Sequence, residues 1–93
     1  MPTRELATPV YLVHAPDRAE RFAVVSEDYD AFEADAGLWF VASDAGLSPL
    51  YHDLKRRLRP AGPFGVAALG EVPKFKRMQP GALKWIRERS RRV

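Results

Sequence analysis

The sequence predicts one small α+β domain, in which a mixed or antiparallel sheet of about four strands packs with about three helices. Three observations support this fold class. The chain has 93 residues, which suits a single hydrophobic core. Hydrophobic residues make up 46% of it and charged residues 29%, a composition typical of a folded protein. Short β-branched or aromatic runs alternate with segments of helical periodicity, in the order β-β-α-β-α-β-α.

Two apolar runs predict strands. Val10–His14 is rich in β-branched and aromatic residues and lies between Pro9 and Pro16. Because its apolar residues are consecutive, we expect both faces of this strand to be covered. Leu38–Ala42 is the most apolar run of the chain and predicts a further strand.

The segment between these runs is predicted as a strand followed by a helix. Residues 22–25, with the sequence FAVV, predict the return arm of a hairpin. Residues 26–37 predict a short helix, because Tyr29, Phe32 and Ala36 recur at helical spacing.

The clearest helix is predicted at residues 49–59. Ser48 can cap its first turn, Pro49 suits the first helical position, and Pro60 and Gly62 follow its end. Its apolar side chains form a single stripe along one side. They are Leu47, Leu50, Tyr51, Leu54 and Leu58.

The rest of the chain completes the predicted order. Residues 64–72 predict a fourth strand, and residues 74–76 predict a short edge strand or a loop. Residues 80–92 predict a last helix with proline at its first position. We expect the whole chain to form one domain, with residues 1–8 and 91–93 flexible.

Charge is divided unequally along the chain. Residues 1–46 contain three basic and nine acidic side chains, a net charge of −6. Residues 47–93 contain twelve basic and three acidic side chains, a net charge of +9. Such an asymmetry points to an anionic partner or to pairing between the two halves.

The cations of the second half are patterned. On each of the two predicted helices they recur three and four residues apart, which places them on one exposed side. Between the helices, an aromatic residue stands among cations, a composition that can hold phosphates and stack on a base. The predicted polyanion-binding residues are Lys55, Arg56, Arg59, Lys74, Phe75, Lys76, Arg77, Lys84, Arg87 and Arg91.

Three interpretations of this pattern stay open. The basic elements can form one surface for nucleic acid or another polyanion, which describes a non-enzymatic binding domain. The acids of residues 27–35 can instead neutralise the basic helices, within the chain or across a homodimer, which describes a protein-interaction or homodimerisation module. Finally, each basic stripe can be an ordinary solvated helix face.

Other functional classes have little support in the sequence. The chain has no cysteine, so disulfides, thiol catalysis and Cys-based metal sites are excluded, and no cofactor is predicted. Residues 28–33 lack the third ligand and the glycine of a calcium loop, and residues 62–70 lack the lysine of a phosphate-binding loop. His14, with Asp17 nearby, is the strongest candidate for catalysis, but its spacing does not require it. We therefore do not expect an enzyme.

Cellular location is predicted only from what the chain lacks. No uncharged run approaches the roughly 20 apolar residues that span a bilayer. The first ten residues have no apolar stretch of the kind found in secretory signals. We expect a small cytoplasmic protein of bacterial type with no membrane partner.

Overall fold

The computed structural model of the chain describes residues 4–6 and 8–92. Its strands are β1 (Arg4–Leu6), β2 (Val10–His14), β3 (Asp30–Asp35), β4 (Leu38–Ala42), β5 (Gly65–Ala68) and β6 (Ser90–Arg92). Its helices are α1 (Ala19–Val25), α2 (Leu47–Leu58) and α3 (Ala82–Arg87). Single 3₁₀ turns at Pro16–Arg18 and Ser26–Asp28 flank α1.

The main sheet is antiparallel and has the strand order β3-β4-β2-β5. β2 lies inside the sheet, between β4 and β5. A separate two-stranded ribbon pairs β1 with β6. The predicted fold class is confirmed: one small α+β domain with a four-stranded antiparallel sheet and three helices.

Both faces of the sheet are covered, as the consecutive apolar residues of β2 predicted. Because successive side chains of a strand point to opposite faces, Tyr11 and Val13 enter one core, whereas Val10 and Leu12 enter the other. α1 and α2 cover the first face, here called the α2 face. Its buried residues are Tyr11, Val13, Ala15, Phe22, Val25, Trp39, Val41, Leu50, Leu54 and Leu58.

The opposite face, here called the α3 face, is covered by α3 and by the loop that precedes it. Its buried residues are Val10, Ala34, Phe40, Ala42, Ala82 and Ile86. Residues 69–78 contribute four half-buried side chains to this core. These are Leu69, Val72, Phe75 and Met78.

The prediction for residues 22–25 was wrong, because this segment belongs to helix α1. Phe22 and Val25 are buried, whereas Ala23 and Val24 are exposed. A spacing of three between buried residues is helical, but a run of only four apolar residues is equally compatible with a strand.

The helix predicted at residues 26–37 was also wrong, because half of this segment, Asp30–Asp35, is strand β3. The helical spacing of its apolar residues arose by chance: Ala31 packs on the α2 face, and Phe32 packs on the α3 face. Gly37 has a φ of +73° in the tight turn between β3 and β4 instead of ending a helix. A Cβ there would lie 2.5 Å from the Cα of Pro16, so this turn requires glycine.

The second half follows the prediction more closely. The helix predicted at 49–59 is α2, which is 12 residues long and buries Leu50, Leu54 and Leu58. The predicted fourth strand is shorter, the predicted last helix ends at Arg87, and residues 74–76 form a loop. No helix in the described part of the chain is long and apolar enough to cross a membrane.

Candidate functional site

The predicted binding residues lie on opposite faces of the sheet. Lys55, Arg56 and Arg59 lie on or directly after α2, whose leucines enter the first core. The basic loop and α3 pack on the second core instead. The three basic elements therefore do not form one surface, although two of them do meet.

The basic loop and α3 lie side by side over one aromatic ring. The ring of Phe75, in the loop, is centred 5.8 Å from that of Phe40. The ring of Trp85, in α3, is centred 6.1 Å from the same Phe40 ring. Because both elements contact one side chain of β4, the loop and α3 pack next to each other on the α3 face.

Five cations of these two elements form the loop–α3 patch. They are Lys74, Lys76, Arg77, Lys84 and Arg87. All five are exposed, and none forms an ion pair with an acid in the described part of the chain. Two acids lie close to these cations in sequence: Glu71 precedes Lys74, and Glu88 follows α3. Both are exposed and likewise without an ion pair among the described residues. The five cations outnumber these two acids, so the side chains named here carry a net positive charge.

Phe75 has a structural role that the sequence did not reveal. Its side chain is half-buried and packs against the α3-face core, where it anchors the loop. The stacking of a base on this ring stays a prediction. Arg91 lies in β6, where its backbone is opposite that of Glu5, but its side chain lies outside the described part of the structure.

On the α2 face, by contrast, two arginines are bound to acids of the chain. Arg57 forms an ion pair with Asp28 and lies 3.8 Å from Asp53. Arg56 forms an ion pair with Asp53 one turn earlier on α2. Lys55 and Arg59 are exposed and form no ion pair with the described acids. The pairing leaves α2 with less available charge than its sequence suggests.

Arginines of the acidic half hold the end of α2. Arg18 donates two hydrogen bonds, from Nε and Nη2, to the carbonyl oxygen of Arg59, at 3.1 and 3.0 Å. Arg21 donates from Nε to the carbonyl oxygen of Arg57 at 2.6 Å. The last carbonyls of a helix have no partner within the helix and carry partial negative charge, so these arginines stabilise its end.

A cleft of about 660 Å³ opens between α1 and α2. Its lining includes four arginines, of which sequence reasoning selected only Arg56 and Arg59. The lining residues are Glu20, Arg21, Val24, Val25, Arg56, Arg57 and Arg59. Arg56 and Arg57 pair with acids, and Arg21 binds a carbonyl oxygen at the end of α2. Three of the four guanidinium groups that line the cleft therefore already have partners within the chain.

Three consecutive residues before and at the start of β3 connect the two faces. Asp28 binds Arg57 of α2, the Tyr29 hydroxyl donates a hydrogen bond to Asp53 of α2, and Asp30 binds Arg89, just after α3. We call residues 28–30 the acidic clasp. The expectation that acids of residues 27–35 lie close to both basic helices therefore holds for Asp28 and Asp30.

The clasp shifts two pKa values. The pKa of Asp53 lies below its ordinary value, chiefly because its carboxylate accepts the hydrogen bond from Tyr29 and also that from Arg56. The pKa of Tyr29 is raised, first by burial and then by the hydrogen bond to Asp53 and its negative charge. Both shifts favour the observed pair, a neutral phenol beside an ionised carboxylate.

Arg89 is the most fully engaged cation of the α3 face. Its guanidinium binds both carboxylate oxygens of Asp30, with one contact of 2.7 Å from Nε. It also donates from Nη1 to the carbonyl oxygen of Trp85 at 2.8 Å and lies 3.8 Å from the centre of that indole ring. This planar, two-point geometry is specific to arginine. Sequence reasoning did not single out Arg89, because its partner is 59 residues away.

Comparisons with protein-family models, with curated proteins and with solved structures return no match for this chain.

Proposed function

We propose that this domain binds nucleic acid through the phosphate backbone, using the loop–α3 patch. The observation that carries the proposal is that five exposed cations lie on two neighbouring elements without an acidic partner in the described part of the chain. Their proximity is supported by the contacts of Phe75 and Trp85 with one ring. The α2 cations are not part of this surface.

The chemistry of the patch favours phosphodiester groups. Lysine and arginine bind phosphate oxygens by charge and hydrogen bonds, and they release counterions condensed on the nucleic acid. The patch combines lysine point charges with guanidinium groups, and such contacts carry no sequence information directly. We therefore expect weakly sequence-dependent binding that falls steeply as salt is added.

The test compares two matched double variants. Lys84→Gln with Arg87→Gln removes one lysine and one arginine from the α3 face, and Lys55→Gln with Arg59→Gln removes the same two types from the α2 side. Fluorescence anisotropy with mixed-sequence single-stranded and duplex oligonucleotides measures affinity between about 50 and 200 mM salt, a range over which backbone contacts weaken strongly.

We expect the α3-face pair to weaken binding by about tenfold or more and to reduce the duplex salt slope by about 2, since each phosphate contact contributes about 0.9. The α2-side pair is expected to change affinity by less than about twofold. Replacement of Lys74, Lys76 and Arg77 by alanine extends the test to the loop.

Equal losses in the two double variants would show that net charge, and not the patch, accounts for binding. Undetectable binding at low salt to every oligonucleotide tested would reject the proposal. A stable oligomer that dissociates in salt and ignores nucleic acid would favour pairing of acidic and basic faces between copies instead.

A further inference from the structure

The outer edge of β5 has backbone groups without a hydrogen-bond partner among the residues that the structure describes. Leu69 donates its N–H to the carbonyl oxygen of Val10 at 2.9 Å. Together with the register of the β2–β5 pair, this bond shows which residues of β5 are hydrogen-bonded to β2. In an antiparallel pair, every second residue is hydrogen-bonded to the partner strand. Residues 65, 67 and 69 therefore bond inward to β2, and the N–H and C=O groups of Val66 and Ala68 point away from the sheet.

This edge lacks the features that normally protect an edge strand. Residues 60–70 contain no charged side chain, and Ala67 and Ala68 are exposed. Native proteins usually guard such edges with charges, prolines or bulges within the strand. The opposite edge is guarded: β3 has exposed Asp30, Glu33 and Asp35 and an irregular register near its end.

At two glycines of this segment, the described part of the chain leaves room for a side chain. A Cβ added at Gly65 or Gly70 would meet no atom within 4 Å, and neither residue has a positive φ. Glycine in a strand without a packing or backbone reason often marks a place where another backbone approaches closely. Gly65 is the first residue of β5, next to the outward groups of Val66, and Gly70 follows the strand by two residues.

From these observations we infer that β5 pairs antiparallel with β5 of a second copy, forming a continuous eight-stranded sheet. The outward groups define the register: Val66 faces Ala68 of the second copy, and Ala68 faces its Val66. Each such pair exchanges two N–H···O=C bonds, so the contact has four. Ala67 lies on the twofold axis, where the two Cα atoms approach to about 4.5 Å and a small side chain fits.

A second copy fits this edge better than other strand arrangements of the chain. Pairing of β5 with β3 of another copy is head-to-tail and does not close unless it forms a ring, and it places the uncharged edge against an acidic one. Pairing of β3 with β3 sets carboxylates opposite one another, which is unfavourable. The β5–β5 contact is closed, self-complementary and free of charge.

Side chains beside the edge add apolar contacts. Phe64 and Tyr51 stack with ring centres 5.3 Å apart, and Phe64 is half-buried. Leu47, which lies on α2 one turn before Tyr51, is 45% exposed. Because β5 has four residues, the interface is small, and we expect a weak dimer that forms at high protein concentration.

The inferred dimer does not rest on nucleic-acid binding. Sedimentation equilibrium between about 10 and 500 µM, a range suited to interfaces of this size, measures the dimer dissociation constant. Ala68→Pro removes an outward N–H from each copy while leaving the bonds to β2 in place, since proline is tolerated on the free side of an edge strand. We expect this change to raise the dissociation constant by about tenfold or more.

A charge exchange tests the twofold axis directly. In Ala67→Lys or in Ala67→Glu, two like charges face each other, so each variant alone should be monomeric. An equimolar mixture of the two should recover dimers. Ala23→Lys adds the same charge on exposed α1 and should leave dimerisation unchanged.

Amide exchange identifies which edge is used. The N–H groups of Val66 and Ala68 should become protected as the protein concentration rises, whereas those of β3 should not change. The inference is overturned by a monomer throughout the concentration range, by a dimer unaffected by Ala68→Pro, or by failure of the Lys and Glu variants to associate when mixed. None of these results bears on oligonucleotide binding by the monomer.

Discussion

The two faces of the sheet use similar basic residues differently. On the α2 face, Arg56 and Arg57 bind acids of the same chain. On the α3 face, Arg89 is engaged in this way, and the five cations of the loop–α3 patch are not. The comparison shows that net charge along a sequence does not locate a binding surface, because intramolecular partners decide how much charge a ligand can reach.

The difference has a local cause. α2 contains its own acid, Asp53, three and four residues before Arg56 and Arg57, and it lies beside the acidic clasp. α3 contains no acid, and the clasp reaches only Arg89, which lies beyond the helix end. Most cations without an ion pair among the described residues therefore lie on α3 and the loop before it, and Lys55 and Arg59 are their counterparts on the α2 side.

The largest expected effect comes from breaking the core beneath each face. Leu54 and Ile86 are both fully buried, one on each face. We expect Leu54→Ala and Ile86→Ala each to lower the free energy of unfolding by about 2–5 kcal/mol, because each leaves a cavity. Urea denaturation monitored by tryptophan fluorescence and by circular dichroism measures the change. Divergence of the two signals in either variant would contradict a single cooperative unfolding of both faces.

A smaller effect on stability is expected when an ion-paired cation of the α3 face is removed, and none when an unpaired cation of the same face is removed. Arg89→Ala removes the two-point bond to Asp30 and the contact over Trp85, and we expect it to lower the free energy of unfolding by about 1–2 kcal/mol, since part of the ion pair is solvent-exposed. Lys84→Ala should leave stability unchanged and weaken oligonucleotide binding. Equal stability losses in the two variants would contradict the distinction between bound and free cations.

The smallest effect concerns the hydrogen bond between the clasp and α2. Tyr29→Phe deletes the donor to Asp53 and should lower the free energy of unfolding by about 1 kcal/mol near neutral pH. The folded-state pKa of Asp53 is depressed, so its contribution is present above the ordinary carboxyl pKa of about 3.9 and is lost as the pH falls through the lower folded value.

The pKa of Tyr29 is raised on folding, so its contribution is present below the ordinary phenol pKa of about 10 and is lost as the pH rises through the higher folded value. The difference in stability between the wild type and Tyr29→Phe should therefore be constant from about pH 5 to 9 and shrink below about pH 4. Urea titrations at several pH values measure it. A difference that persists undiminished at pH 2 would show that the Asp53 carboxylate is not involved.

The elements that could be predicted from the sequence had long or strongly patterned signals. α2 has a leucine stripe over three turns, β2 has four consecutive apolar residues, and β4 has five. Residues 22–25 and 26–37 were misassigned because a short apolar run fits either structure, and because three aromatic or small residues matched helical spacing by chance.

The candidate site was only partly predictable for a different reason. Composition and spacing identified which cations are exposed, but the face on which each element packs depends on how the chain crosses the sheet. The partners of Arg57 and Arg89 are 29 and 59 residues distant, which no local pattern reveals. Arg21, counted with the acidic half, instead caps α2.

The acidic clasp has a consequence for the motions of the domain. Asp28 and Asp30 hold Arg57 and Arg89, which lie on opposite faces, through a single segment at the sheet's edge. A local opening of this edge would break both of these ion pairs in one event, because the two aspartates are two residues apart, and it would leave Arg57 with only its longer contact to Asp53. One short stretch of backbone therefore governs the pairing of one arginine on each face, Arg57 and Arg89, whereas the cations of the loop–α3 patch do not depend on it.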